Sequence, residues 1–226
     1  MPSLEAVLNH PAVWRGGSCA RVAIPSASTG FPALDAVLPG GGWPAAALTE
    51  IYASRPGLGE MQLVMPAAAR LTQAGRWATL IAPPYIPYAP ALAAHGLKLS
   101  RLLVVRAEKT EERFWACEQA LRYPDCGAIL AWIDQASERA LKRLQLAAEG
   151  GNAIALLFRS ARVIPASPAA LRLQIERTPD RTLVRVLKRR GSDLPAPVSV
   201  DLRDQPSIQA AEPTPASLPR QREMAS

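Results

Sequence analysis

Residues 28–61 read S-T-G-F-P-A-L-D-A-V-L-P-G-G-G-W-P-A-A-A-L-T-E-I-Y-A-S-R-P-G-L-G-E-M, and their reading decides the fold. Gly40-Gly41-Gly42 interrupts regular structure. The apolar run at 47–53 reads as a buried strand, and a second glycine loop at 54–59 leads into a helix. Strand, glycine loop and helix form the layout of a phosphate-binding loop. Its glycines let backbone N–H groups approach phosphates, its Lys reaches the terminal phosphates, and its Ser or Thr holds magnesium. Here Glu60 and Met61 stand where the Lys and the Ser or Thr belong. Ser54, Gly57, Gly59, Glu60 and Met61 are therefore expected to form a degenerate, structural loop, with Gly57 and Gly59 kept for backbone geometry.

Outward from this stretch the chain alternates. Met61, Leu63, Val64, Ala67, Ala68 and Leu71 sit at helical spacing, with Pro66 expected to kink or divide the helix and Gly75 to close it. Apolar runs at 77–82, 102–105, 128–133 and 154–158 read as strands buried on both faces. Helices between them are expected to start near Pro90, at Thr110, and at Asp134 or Ser137. The segment P-P-Y-I-P-Y-A-P at 83–90 is neither helix interior nor central strand and reads as a rigid loop. Residues 171–176 alternate strictly, residues 183–188 partly, and a turn at 178–181 joins them into an antiparallel hairpin; 198–202 adds an edge strand. The fold class is α/β, a mostly parallel sheet flanked by helices with a C-terminal antiparallel hairpin. Residues 1–24 read as an N-terminal helical arm, 25–202 as the core domain, and the Pro-, Ala- and Ser-rich residues 203–226 as a disordered tail.

The 226 residues carry a net charge of +7, which favours an anionic partner. Between Arg159 and Asp193 nine Arg or Lys face three acids, a local +6. Three scattered cysteines and two lone histidines predict no metal site and a reducing, cytoplasmic setting. No basic start followed by an apolar run marks a signal peptide, and no apolar stretch reaches the ~20 residues that span a bilayer.

An ATPase needs a Lys and a Ser or Thr in the loop and two well-placed acids. Residues 82–85 offer no acid, Trp132 occupies the place of the second, and Asp134 comes two residues late. No catalytic residue, cofactor or metal is expected. The basic residues Arg159, Arg162, Arg172, Arg185, Lys188, Arg189 and Arg190 are candidate contacts to an acidic partner or to DNA phosphates, with Arg159 and Arg162 placed in a loop beyond a strand end. Few aromatics lie near them, so DNA binding is expected to be weak, non-specific and salt-sensitive. Trp14, Trp43, Tyr85 and Tyr88 are candidate partner anchors, with Trp43 equally readable as a core plug.

Ser28-Thr29-Gly30, Leu34-Asp35, Gly41-Gly42-Trp43-Pro44 and Glu50-Ile51-Tyr52 resemble, in order, the start of the RecA recombinase core, and the hairpin resembles its end. More closely, the chain resembles the ImuA family, RecA-like proteins of bacterial mutagenesis cassettes. Trp14-Arg15-Gly16, Gly57-Leu58-Gly59-Glu60, the loop at 82–90, residues 115–121 and residues 129–132 carry that likeness. The resemblance implies a non-enzymatic adaptor in DNA-damage-induced (SOS) mutagenic translesion synthesis. Its implied partners are an ImuB-like inactive Y-family polymerase homologue, an error-prone replicative-type DNA polymerase and RecA. The SulA family of cell-division inhibitors is similar to the same core and implies the alternative, binding to the tubulin-like division protein.

Overall fold

The computed structural model describes residues 25–162, 164–178, 181–189 and 195–202. The expected N-terminal helix, Trp14, Arg190 and the tail lie outside the described residues. The chain runs β1 (Ser26–Ala27), α1 (Pro32–Asp35), β2 (Trp43–Pro44), β3 (Ala47–Ala53), α2 (Glu60–Gln73), β4 (Trp77–Ile81), α3 (Ala89–Ala94), β5 (Leu102–Val105), α4 (Thr110–Arg122), β6 (Cys126–Trp132), α5 (Glu138–Glu149), β7 (Ile154–Ser160), β8 (Leu171–Arg177), β9 (Thr182–Lys188) and β10 (Val198–Val200).

Eight strands form one mixed sheet in the order β10-β9-β8-β3-β7-β6-β4-β5. From β8 to β5 every pairing is parallel; β9 and β10 add antiparallel strands at one side. Strand β3 lies between β7 and β8 and is buried along its whole length, as a continuous apolar run in a covered parallel sheet must be. One sheet face packs against α1 and α2, with Leu34, Leu63, Val64 and Ala67 meeting Leu156, Leu173 and Val186. The other packs against α4 and α5, with Phe114, Cys117, Leu141 and Leu144 meeting Ile129 and Leu157. The two helices on that face are also joined by Arg143, which donates to the buried Glu118 carboxylate at 2.8 Å.

Three expectations change. Helix α2 is a single 14-residue helix with Pro66 inside it, not two pieces. Pro66 is buried against the loop at Gly30, where a Cβ would stand 2.6 Å from the proline Cβ, so packing overrides the lost backbone hydrogen bond. Strand β5 is not buried on both faces: among the described residues it ends the sheet, pairs only with β4, and exposes Leu103 and Val104. Its apolar run has the same composition as an interior strand, and only sheet order separates the two cases. Helix α4 takes Lys109 rather than Thr110 as its N-cap, the Glu112 side chain accepting from the Lys109 backbone N–H at 3.4 Å. Ser137, and not Asp134, caps α5 by accepting from the Ala140 N–H at 3.2 Å.

Cys117 and Cys126 are buried free thiols, and burial pushes their pKa values up to about 12 and about 11. A pKa raised only in the folded chain adds stability below the unfolded value near 9, which is lost as pH rises toward the folded values. At pH 8 an aromatic disulfide reagent is therefore expected to leave both thiols unmodified in the native protein and to reach them on denaturation. Native labelling of Cys117 or Cys126 within seconds would contradict this packing.

Candidate functional site

The glycine loop after β3 is built as the sequence suggests. Gly57 and Gly59 have φ of 87° and 103°, values that side chains with a Cβ rarely adopt. Glu60, the first residue of α2, turns back so that its Oε1 accepts from the Gly57 N–H at 2.7 Å. The backbone donor that a phosphate loop would offer its ligand is thus taken by the chain's own carboxylate. Glu60 is buried, its Oε2 meets no hydrogen-bond donor among the described residues, and Met61 packs on the core. Ser54 is exposed in the loop.

The S-T-G and L-D motifs form a staple. Asp35 accepts from the Ser28 hydroxyl at 2.6 Å and from the Thr29 N–H at 2.8 Å, which fixes the chain entering α1. Glu50 and Tyr52, two residues apart on β3, share a sheet face. Glu50 is fully buried and accepts from Arg159 at 2.6 Å and from Arg172 at 3.0 Å. The Tyr52 hydroxyl donates to Glu50 at 3.0 Å and accepts from Arg172 at 2.9 Å. The two guanidiniums lie 5.7 and 5.2 Å from the centre of the Tyr52 ring. Burial, foremost, raises the Tyr52 pKa; Arg172, hydrogen-bonded to its hydroxyl, opposes that shift. Sequence reasoning missed this cluster as chemistry, although a Glu inside an otherwise apolar strand demands buried cations.

That cluster relocates the predicted basic contacts. Arg159 is not in a loop: it belongs to β7, is buried, and also donates to the Asp134 carbonyl at 3.1 Å. Arg172 is held by Glu50, Tyr52 and the Pro165 carbonyl. Lys188 donates to the Ser167 carbonyl at 2.9 Å and Arg189 to the Val37 carbonyl at 2.6 Å. Arg185 is exposed 4.0 Å from Glu176, and Arg162 is exposed at the end of β7. Among the described residues, Arg159, Arg172, Lys188 and Arg189 are therefore tied into the fold, while Arg185 and Arg162 stay exposed. Asp134 accepts from the Ser160 N–H at 2.8 Å, and Trp132 stacks on Phe158 at 4.7 Å.

The aromatic candidates divide. Trp43 is completely buried in the core, so it is the plug and not a partner anchor. Tyr85 and Tyr88 are each 70% exposed, and Ile86 between them is 80% exposed. Their loop leaves β4 through Ala82, a non-glycine residue at φ 51°, and is stiffened by Pro83, Pro84, Pro87 and Pro90. Beneath it lies a hollow of about 560 Å³ walled by Met61, Met65, Leu92 and His95. Among the described residues no cluster of His, Cys, Asp or Glu could hold a metal ion, and no helix is long and apolar enough to cross a membrane.

Fold and site together define an α/β protein whose phosphate-type loop is closed by its own carboxylate beside an exposed aromatic loop. A sequence model of the family described as "Cell division inhibitor SulA" matches residues 47–155, from β3 into β7. The chain is 29% identical over 112 residues to "Cell division inhibitor SulA" of Edwardsiella piscicida, covering 47% of this chain and 67% of that protein. It is also 29% identical over 165 residues to the protein of the same name from Pseudomonas aeruginosa PAO1, covering 70% of this chain and 95% of that protein. These similarities overturn the expected translesion-synthesis adaptor. The matching family and both relatives are described as cell-division inhibitors, which favours the alternative drawn from the same core.

Proposed function

We propose that this chain is a non-enzymatic inhibitor of cell division, acting in the DNA-damage (SOS) response by docking on the tubulin-like division protein. The observation that carries the reading is the rigid loop presenting Tyr85, Ile86 and Tyr88 to solvent beside a loop whose phosphate-facing amide is already occupied. Aromatic side chains dominate binding at protein interfaces, and a loop held by Pro83, Pro84 and Pro87 loses little conformational freedom on docking. The similarity to proteins named as cell-division inhibitors supports the same conclusion.

Overproduction of the full chain in undamaged cells is expected to cause filamentation. The substitution Tyr85→Ser/Ile86→Ser/Tyr88→Ser is expected to restore normal division and to weaken association with the division protein by at least about tenfold. Its melting temperature should remain that of the parent, because all three side chains already face water. Normal division during overproduction of folded parent chain would remove the reading.

A further inference from the structure

A second hollow, of about 1020 Å³, opens over the carboxyl ends of β3, β6 and β7, where open α/β sheets take their ligands. Glu60, Pro83, Pro84 and Trp132 wall both this hollow and the one beneath the aromatic loop. The two therefore adjoin across these shared walls as the parts of a two-part cleft, one mainly apolar and one lined by arginines.

The charge in the second half is uneven. Arg113 donates to the Ala107 and Trp132 carbonyls at 3.0 and 3.3 Å, and Arg159 is committed to Glu50. Arg55, Arg106 and Arg162 are exposed on the wall and have no ion pair among the described residues. Five arginines and three acids wall this half; Glu60 accepts from the Gly57 N–H and Asp134 from the Ser160 N–H, so the cations outnumber the acids and three of them face solvent. A guanidinium offers a planar fork that matches a carboxylate, so this wall is complementary to acidic side chains.

We infer that the cleft is a docking site for an extended peptide segment of a protein partner, one that sets acidic side chains on Arg55, Arg106 and Arg162 and adjacent apolar side chains under Tyr85–Tyr88. A small anion would fill only the cationic half, and a purely apolar segment would leave three arginines uncompensated. A segment with both chemistries satisfies the whole cleft. The inference rests on the reading of the Pro-rich loop as a partner surface, and it adds the chemistry of what that surface takes.

The test selects twelve-residue peptides from a randomised phage library with the full chain and measures the selected peptides, labelled with fluorescein, by anisotropy. Enrichment of sequences carrying two or more Asp or Glu beside Leu, Phe or Ile is expected. The variant Arg55→Gln/Arg106→Gln/Arg162→Gln should weaken these peptides about tenfold and flatten their salt dependence. Tyr85→Ser/Tyr88→Ser should weaken them comparably with the salt dependence intact. Both variants change exposed residues, and equal melting temperatures establish that they fold. No enrichment, enrichment of basic or uncharged sequences, or unchanged affinity in the glutamine variant would each overturn the inference. The selection contains no division protein. Acidic–apolar peptides recovered without filamentation would sink the division reading and keep the cleft; filamentation without such peptides would do the reverse.

Discussion

Glu50→Ala is expected to destabilise the protein by about 3–5 kcal/mol, the cost of leaving buried charge uncompensated. The carboxylate is fully buried between two arginines, and the Arg159 side chain is only 4% exposed. Removing the acid leaves two cations and the Tyr52 hydroxyl without their common partner. For a domain whose whole stability is about 5–15 kcal/mol, such a loss leaves a substantial unfolded fraction. Urea denaturation of the parent and variant provides the measurement. The complementary variant Glu50→Leu/Tyr52→Phe/Arg159→Met/Arg172→Leu should recover most of the loss, because apolar side chains of similar volume avoid desolvating any charge and leave no buried hydroxyl unpaired. Parent-like stability in Glu50→Ala would show that the arginines find other partners or reach water.

Gly59→Ala is the second large effect. At φ 103° an added Cβ is strained, and it would also run into the Leu202 side chain that closes the sheet beyond β10. Left-handed strain costs about 1–2 kcal/mol and overpacking about 1–3 kcal/mol, so a total of roughly 2–5 kcal/mol is expected where the two add. Gly57→Ala separates the terms: its φ is 87°, but no neighbouring atom lies within 4 Å of the added Cβ, so only the strain remains. A double-mutant cycle of Gly59→Ala and Leu202→Ala isolates the steric share as its coupling term, because Leu202→Ala in the core carries a burial loss of its own. If Gly57→Ala and Gly59→Ala were equally destabilising, the contact with Leu202 would carry no weight.

The sequence resolved local matters well where one element dictates its own form. Strand β3 follows from an apolar run between glycine loops, and the hairpin from strict alternation about a short turn. The missing phosphate-loop Lys was visible at Glu60, but not that this carboxylate folds back onto the Gly57 amide. The basic residues misled because charge in a sequence says nothing about where its counter-charge sits. Arg159 and Arg172 find theirs on β3, more than 100 positions away in the chain.

By itself, then, the sequence determined the alternating elements, the Glu60 and Met61 that stand in place of the phosphate-loop Lys and Ser or Thr, and the proline content of the loop after β4, because each depends on neighbours a few residues apart. Tertiary structure alone decided three further features: β5 ends the sheet, Trp43 fills the core, and Glu50 gathers two arginines. It also set the glycine loop and the aromatic loop beside Arg55, Arg106 and Arg162, around two hollows with shared walls. Those features arise from sheet order and register, which place residues distant along the chain side by side and determine which charges are paired within the fold and which face solvent.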